Sequence, residues 1–142
     1  MAMLVTHILA ATASLVWMFI EWRRFGKPSL IGVVTGMVAG SSSVTPCGYI
    51  GVLGSLVLGF FSGFFCYLVL DYIRSKLQID DSLDVFAVHG VGGALGTLLV
   101  AFLATSTFSG IGLAEDQTSV SQFFVQLKTF ILTVDWPSIL RI

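Results

Sequence analysis

The chain has 142 residues, of which 56% are hydrophobic and only 11% charged, with a formal net charge of -1. A soluble domain carries about 25% charged residues, and a nucleic-acid binder gathers Lys and Arg into a stripe or an arm; both classes are excluded. The mean hydropathy of +0.95 points instead to a bilayer, where this length makes about five spans of roughly 20 residues with short loops.

The first apolar run covers residues 2–20 and closes in Glu21-Trp22-Arg23-Arg24-Phe25-Gly26-Lys27-Pro28. A signal peptide carries its positive charge ahead of the apolar stretch. Here Arg23, Arg24 and Lys27 follow it, so an uncleaved span is expected. Trp17 and Trp22 suit an interfacial belt, and the Gly-Pro punctuation marks a turn. The second run, 29–44, is weaker and glycine-rich, closing with Ser41-Ser42-Ser43 and Thr45-Pro46. The third, 52–73, is long and strongly apolar, and a polar loop over 74–81 follows. The fourth covers 85–104. After a polar stretch containing Glu115 and Asp116 comes a fifth run, 123–134, interrupted by Gln126 and Lys128. A run of about 12 residues cannot cross a hydrocarbon core of ~30 Å as a helix, and Asp135-Trp136-Pro137 is expected to stop it. The expected fold is all-α: a polytopic transmembrane helix bundle, one domain over 1–142, with four spans and a weak fifth.

Charge asymmetry sets an expected orientation. The loop after the first run holds Arg23, Arg24 and Lys27, and the loop after the third holds Arg74 and Lys76. The loops after the second and fourth runs hold neither Lys nor Arg. Four spans put the basic loops on one side, which the positive-inside rule makes cytoplasmic. A multi-pass protein of the plasma or inner membrane with its N-terminus outside is therefore expected.

Small residues recur at helical spacing. Gly32, Gly36 and Gly40 form two overlapping GxxxG units; Ser55, Gly59 and Gly63 repeat the interval, as do Gly92 and Gly96. Lipid gives helices no hydrophobic reason to associate, so close backbone contact must supply it. A tight bundle is expected, although glycine is also simply frequent in membrane helices.

His89 leads the search for chemistry. His89 lies in the fourth run with Gly92, Gly93 and Gly96 on one helical face. That small face should pack on another helix or line a lumen, turning the imidazole inward. An ionisable side chain within a span is a functional hypothesis by default; the competing reading is a histidine that only hydrogen-bonds a neighbouring helix. Asp81 and Asp84 stand at the start of that helix, where carboxylates cap free N–H groups and complement the macrodipole. His7, near the outer end of the first span, suits either a vestibule or an idle interfacial position. Cys47 and Cys66 do not form CxxC and are expected to be unpaired structural thiols. There is no phosphate loop, nucleophile constellation or pair of catalytic carboxylates. No enzyme activity, metal or cofactor is expected.

The stretch Asp80-Asp81-Ser82-Leu83-Asp84-Val85-Phe86-Ala87-Val88-His89-Gly90-Val91-Gly92-Gly93 resembles the D-D-x-x-D-x-F-x-V-H-G-x-G-G motif of the ammonium transporter family (Amt/Mep, related to the Rhesus proteins). Gly26-Lys27-Pro28-Ser29-Leu30-Ile31-Gly32 is similar to its G-K-P-S-L-x-G loop. Gly36 to Gly40 and Val44-Thr45-Pro46 resemble the span and loop that follow. The order looks like spans seven to ten of an eleven-helix fold, with a degenerate eleventh. The resemblance implies a homotrimer for nitrogen uptake, with a hydrophobic pore in each subunit that conducts ammonium or ammonia. It implies two touching pore histidines in a proton relay, of which His89 matches the second, and it puts Val85 in the apolar pore wall. The family's first pore histidine and outer recruiting site belong to earlier spans, which this chain does not contain. The family's cytoplasmic tail, which a PII signalling protein can engage, is also not here, so no such regulator is expected. The alternative expectation is a non-conducting truncated fragment that acts only as an assembly or structural membrane subunit.

Overall fold

The computed structural model of the chain describes residues 2–44, 50–77, 84–103 and 119–139, with residues 77, 101 and 134–139 described by their backbone alone. Among the described residues, five α-helices follow in order: α1 (Ala2–Phe25), α2 (Leu30–Ser42), α3 (Val52–Tyr72), α4 (Gly92–Leu103) and α5 (Ser119–Ile139). A π-helical turn, Ile73–Leu77, extends α3, and a π-helical segment, Phe86–Val91, leads into α4.

Local chemistry sets the first boundary. Gly26 ends α1 in a left-handed conformation (φ 74°) and donates its N–H to the Trp22 carbonyl at 3.0 Å. Only a residue without a Cβ takes that conformation freely. Pro28 then turns the chain, and Ser29 caps α2 by accepting the Gly32 N–H at 2.9 Å. The Glu21 carboxylate accepts in turn from the Ser29 N–H at 2.7 Å. The end of α1 thus holds the beginning of α2.

Glycine stripes decide the packing. A Cβ built on Gly36 would fall 2.7 Å from Trp17 Cβ, and one on Gly40 would fall 2.5 Å from the Leu9 carbonyl oxygen. From the other side, Gly59 would meet Leu9 O at 3.1 Å and Gly63 would meet Ala13 Cα at 3.0 Å. Helix α1 is therefore gripped by α2 and α3 along Leu9, Ala13 and Trp17. Backbones this close gain dispersion and polar contacts that bulkier residues forbid.

Two apolar clusters occupy opposite ends of the bundle. Trp17, Ala39, Cys66, Tyr67, Leu70, Ile73, Ala87 and Val88 form one; Val5, Leu9, Ile50, Leu58 and Leu103 form the other. Trp17 and Tyr67 meet edge to face with ring centroids 5.2 Å apart. Buried Ser14, Ser43, Ser55 and Ser62 all donate to backbone carbonyls. That satisfaction is required where no water can reach. Outward, large apolar side chains such as Leu30 (81% exposed) and Leu15 (59%) face away from the protein.

Two helical stretches, Ala2–Phe25 and Val52–Lys76, are long and apolar enough to cross a membrane. The expectation of four spans and a weak fifth is met in part, because the other apolar helices among the described residues are shorter. Helix α2 has 13 residues, about 20 Å of rise, because Ser29 starts it late and Ser43 turns it early. Phe86–Val100 is likewise a shorter apolar helix. The fifth element departs most: α5 runs 21 residues and passes through Asp135-Trp136-Pro137. Asp81 and Cys47 lie outside the described residues.

Candidate functional site

His89 sits near the end of the π-helical segment Phe86–Val91. A π turn adds one residue to the ladder and shifts the phase of all that precedes it, and such segments recur at functional sites. The segment is anchored on its inner face. Ala87 and Val88 are buried in the apolar cluster with Trp17 and Tyr67. The Val88 N–H donates to the Asp84 carbonyl at 2.9 Å. From α2, the Ser42 hydroxyl reaches the Val88 carbonyl at 2.6 Å and the Ala39 carbonyl at 2.8 Å. Ser62 of α3 also donates to Ala39 O, at 3.0 Å. Ser62, Ala39, Ser42 and Val88 therefore form a polar chain from α3 through α2 to the residue beside His89.

The expected inward face is divided. Gly92 lies against the Ser42 hydroxyl, and a Cβ on Gly96 would fall 2.5 Å from the Ser43 carbonyl oxygen. These two glycines pack on α2. Gly93 has nothing within 4 Å of its would-be Cβ. Gly93 is half-buried and His89 exposed, as is Val85 at 48%. The imidazole does not point between helices of this chain. His89, Val85 and Gly93 instead belong to an open face.

Asp84 does not cap the helix with its side chain, contrary to expectation. Val85, at the cap position, makes no side-chain cap bond, and the Asp84 carboxylate turns to Arg74. Arg74 Nη2 lies 2.8 Å from Asp84 Oδ1 and 2.6 Å from Oδ2. Asp84 has a left-handed backbone (φ 52°) and is buried. Nearby, Arg24 pairs with Asp71 at 2.8 Å. Glu21, Asp71, Arg74 and Asp84 all line one cavity of about 280 Å³, floored by Trp17 and Tyr67. The basic residues after α1 and after α3 thus gather at one end of the bundle, as the loop charges anticipate. His7 lies in the first turns of α1, exposed, with Nδ1 2.8 Å from the Met3 carbonyl. Cys66 is buried and free. Among the described residues, no group of three or more His, Cys, Asp or Glu is placed to hold a metal ion.

The profile of the Ammonium Transporter Family matches residues 1–141. The chain belongs to the ammonium transporter family. Members of that family are transporters and not enzymes. The ammonium transporter Amt1 of Archaeoglobus fulgidus is 40% identical over 132 residues, covering 90% of this chain and 33% of the relative. An ammonium transporter of Aquifex aeolicus is 35% identical over 141 residues, or 98% of this chain and 33% of its own length. Among solved structures, Saccharomyces cerevisiae Mep2 superposes with a TM-score of 0.80 at 30% identity, over 95% of this chain and 34% of that one. A sensor Amt protein superposes with a TM-score of 0.83 at 26% identity, over 95% and 33%. The chain therefore spans about a third of the length of these ammonium transporters. The fold is that of part of a multi-pass helical membrane protein.

Sequence reasoning singled out His89, Val85 and Asp84. It missed Arg74 and Ser42, which hold the His89 segment from either side. The only sequence signal for Ser42 is its place at the end of the glycine stripe.

Proposed function

We propose that this chain forms one wall of a transmembrane path for ammonium or ammonia, with His89 as a proton relay and Val85 as part of the apolar lining. The observation that carries the reading is the open face itself: an exposed imidazole beside an exposed valine and a glycine with open space at its Cβ position, on a chain of the ammonium transporter family. A bare ammonium ion is costly in an apolar lumen. Splitting it into neutral ammonia and a relayed proton avoids that cost, and histidine is the side chain that shuttles protons near neutral pH. In this reading the basic end with Arg24 and Arg74 faces the cytoplasm and the N-terminus faces out. The helices make four spans and a fifth, α5, and the subunits assemble as a homotrimer.

Growth tests the proposal. Cells lacking their own ammonium uptake should grow on scarce ammonium when they carry this chain, and His89→Ala should remove that growth at equal membrane abundance. A second reading has its own support: no described helix of this chain covers the His89 face. On that reading the chain is a non-conducting subunit, and growth is not restored although the chain inserts.

A further inference from the structure

We propose that Arg74 is a positioning residue for His89, acting through its ion pair with Asp84 to fix the rotation of the His89 segment. Both groups belong to the turns that flank the connection between α3 and the His89 segment: Arg74 lies in the π-helical turn Ile73–Leu77, and Asp84 immediately precedes Val85 and the segment Phe86–Val91. One guanidinium nitrogen bridges both carboxylate oxygens, at 2.8 and 2.6 Å. The Asp84 side chain is only 8% exposed, whereas Arg74 remains 59% exposed.

Three features make the pair more than a surface contact. Asp84 holds a left-handed backbone, uncommon outside glycine although aspartate tolerates it better than most residues. Its carboxylate is buried, so removing the guanidinium leaves a charge with no partner, and the carboxylate must then turn toward water. Its carbonyl accepts the Val88 N–H, so that movement pulls on the turn that carries His89. The π geometry gives this turn somewhere to go. Conversion of one π turn to α removes a residue from the ladder and rotates the preceding turn by roughly 100°. Ser42 holds the segment at the Val88 carbonyl, and Arg74 holds it at Asp84. With both ends held, His89 stays on the open face.

The proposal takes from the preceding reading only that His89 is the working side chain. Its test reads the imidazole directly and therefore stands apart from transport. The chain has two histidines, so His7→Gln leaves His89 alone. The full chain with labelled histidine, in lipid nanodiscs, should give one set of imidazole NMR signals. Arg74→Ala should split or shift that set, and so should Asp84→Asn, which retains a side chain tolerant of the left-handed backbone but loses the charge. Arg74→Lys should restore the single set. If Arg74→Ala does not yield folded protein, Arg74→Gln carries the same expectation. Arg24→Ala breaks the neighbouring pair with Asp71 and should leave His89 unmoved. Unchanged imidazole signals in Asp84→Asn, or an equal disturbance by Arg24→Ala, would overturn the assignment.

Discussion

Gly40 of α2 and Leu9 of α1 approach so closely that a methyl group on Gly40 would lie 2.5 Å from the Leu9 carbonyl oxygen and 2.9 Å from Ala13 Cβ. Neither obstacle is a flexible side-chain end, so the helices must part to admit it. Gly40→Ala should therefore destabilise the bundle by about 1–3 kcal/mol, the usual cost of overpacking. Gly93→Ala offers the contrast. Open space surrounds that position, and alanine is the better helix former. Its stability should be unchanged or slightly raised. Unfolding of both variants in a graded detergent series checks the pair.

The polar chain through Ser42 makes a second expectation. Ser42→Ala removes the donor to the Val88 carbonyl, a bond of the kind that contributes about 0.5–1.5 kcal/mol net. The Val88 carbonyl keeps its contact with the Gly92 N–H, so the loss should fall at the low end of that range. Amide exchange around residues 86–91 should accelerate in this variant, while exchange in α1 stays slow.

At the other end of α2, Ser29→Ala removes both the acceptor that caps the Gly32 N–H and the hydroxyl that donates to Glu21. Loss of a serine cap costs about 1 kcal/mol. Glu21→Gln should cost less, because an amide oxygen still accepts the Ser29 N–H. The order of the two variants in thermal unfolding checks the network.

Orientation can be read with a thiol reagent that does not cross membranes. In a chain freed of Cys47 and Cys66, Ser75→Cys should react only from the cytoplasmic side and Met3→Cys only from outside. Both positions are exposed, and they flank opposite ends of the bundle. The reverse pattern contradicts the orientation drawn from Arg24 and Arg74.

Much of the fold is legible in the sequence, for physical reasons that also explain the misses. Helices α1 and α3 announce themselves because their apolar runs are long and uninterrupted. The Gly32-Gly36-Gly40 and Gly59-Gly63 stripes predict contact because only missing side chains permit it. Helix α5 outlasts its apolar run, because Gln126, Lys128 and Asp135 interrupt the hydrophobicity without interrupting the helix. The separation of His89 from Gly92 and Gly96 has a subtler reason. A count at 3.6 residues per turn puts His89 with Gly92 and Gly96, but the π-helical segment carries an extra residue and turns His89 away from them. Asp84 was read as a cap because carboxylates commonly are; its pairing with Arg74 spans ten residues and leaves no periodic trace.

The central claim, a His89-dependent path for ammonium, is tested most directly in liposomes that contain only this chain. An inward ammonium gradient should change internal pH faster than in empty liposomes, and His89→Ala, inserted to the same extent, should return the rate to the empty baseline. A rate equal to that of empty liposomes from correctly inserted chain, or a rate that survives His89→Ala, would contradict the account.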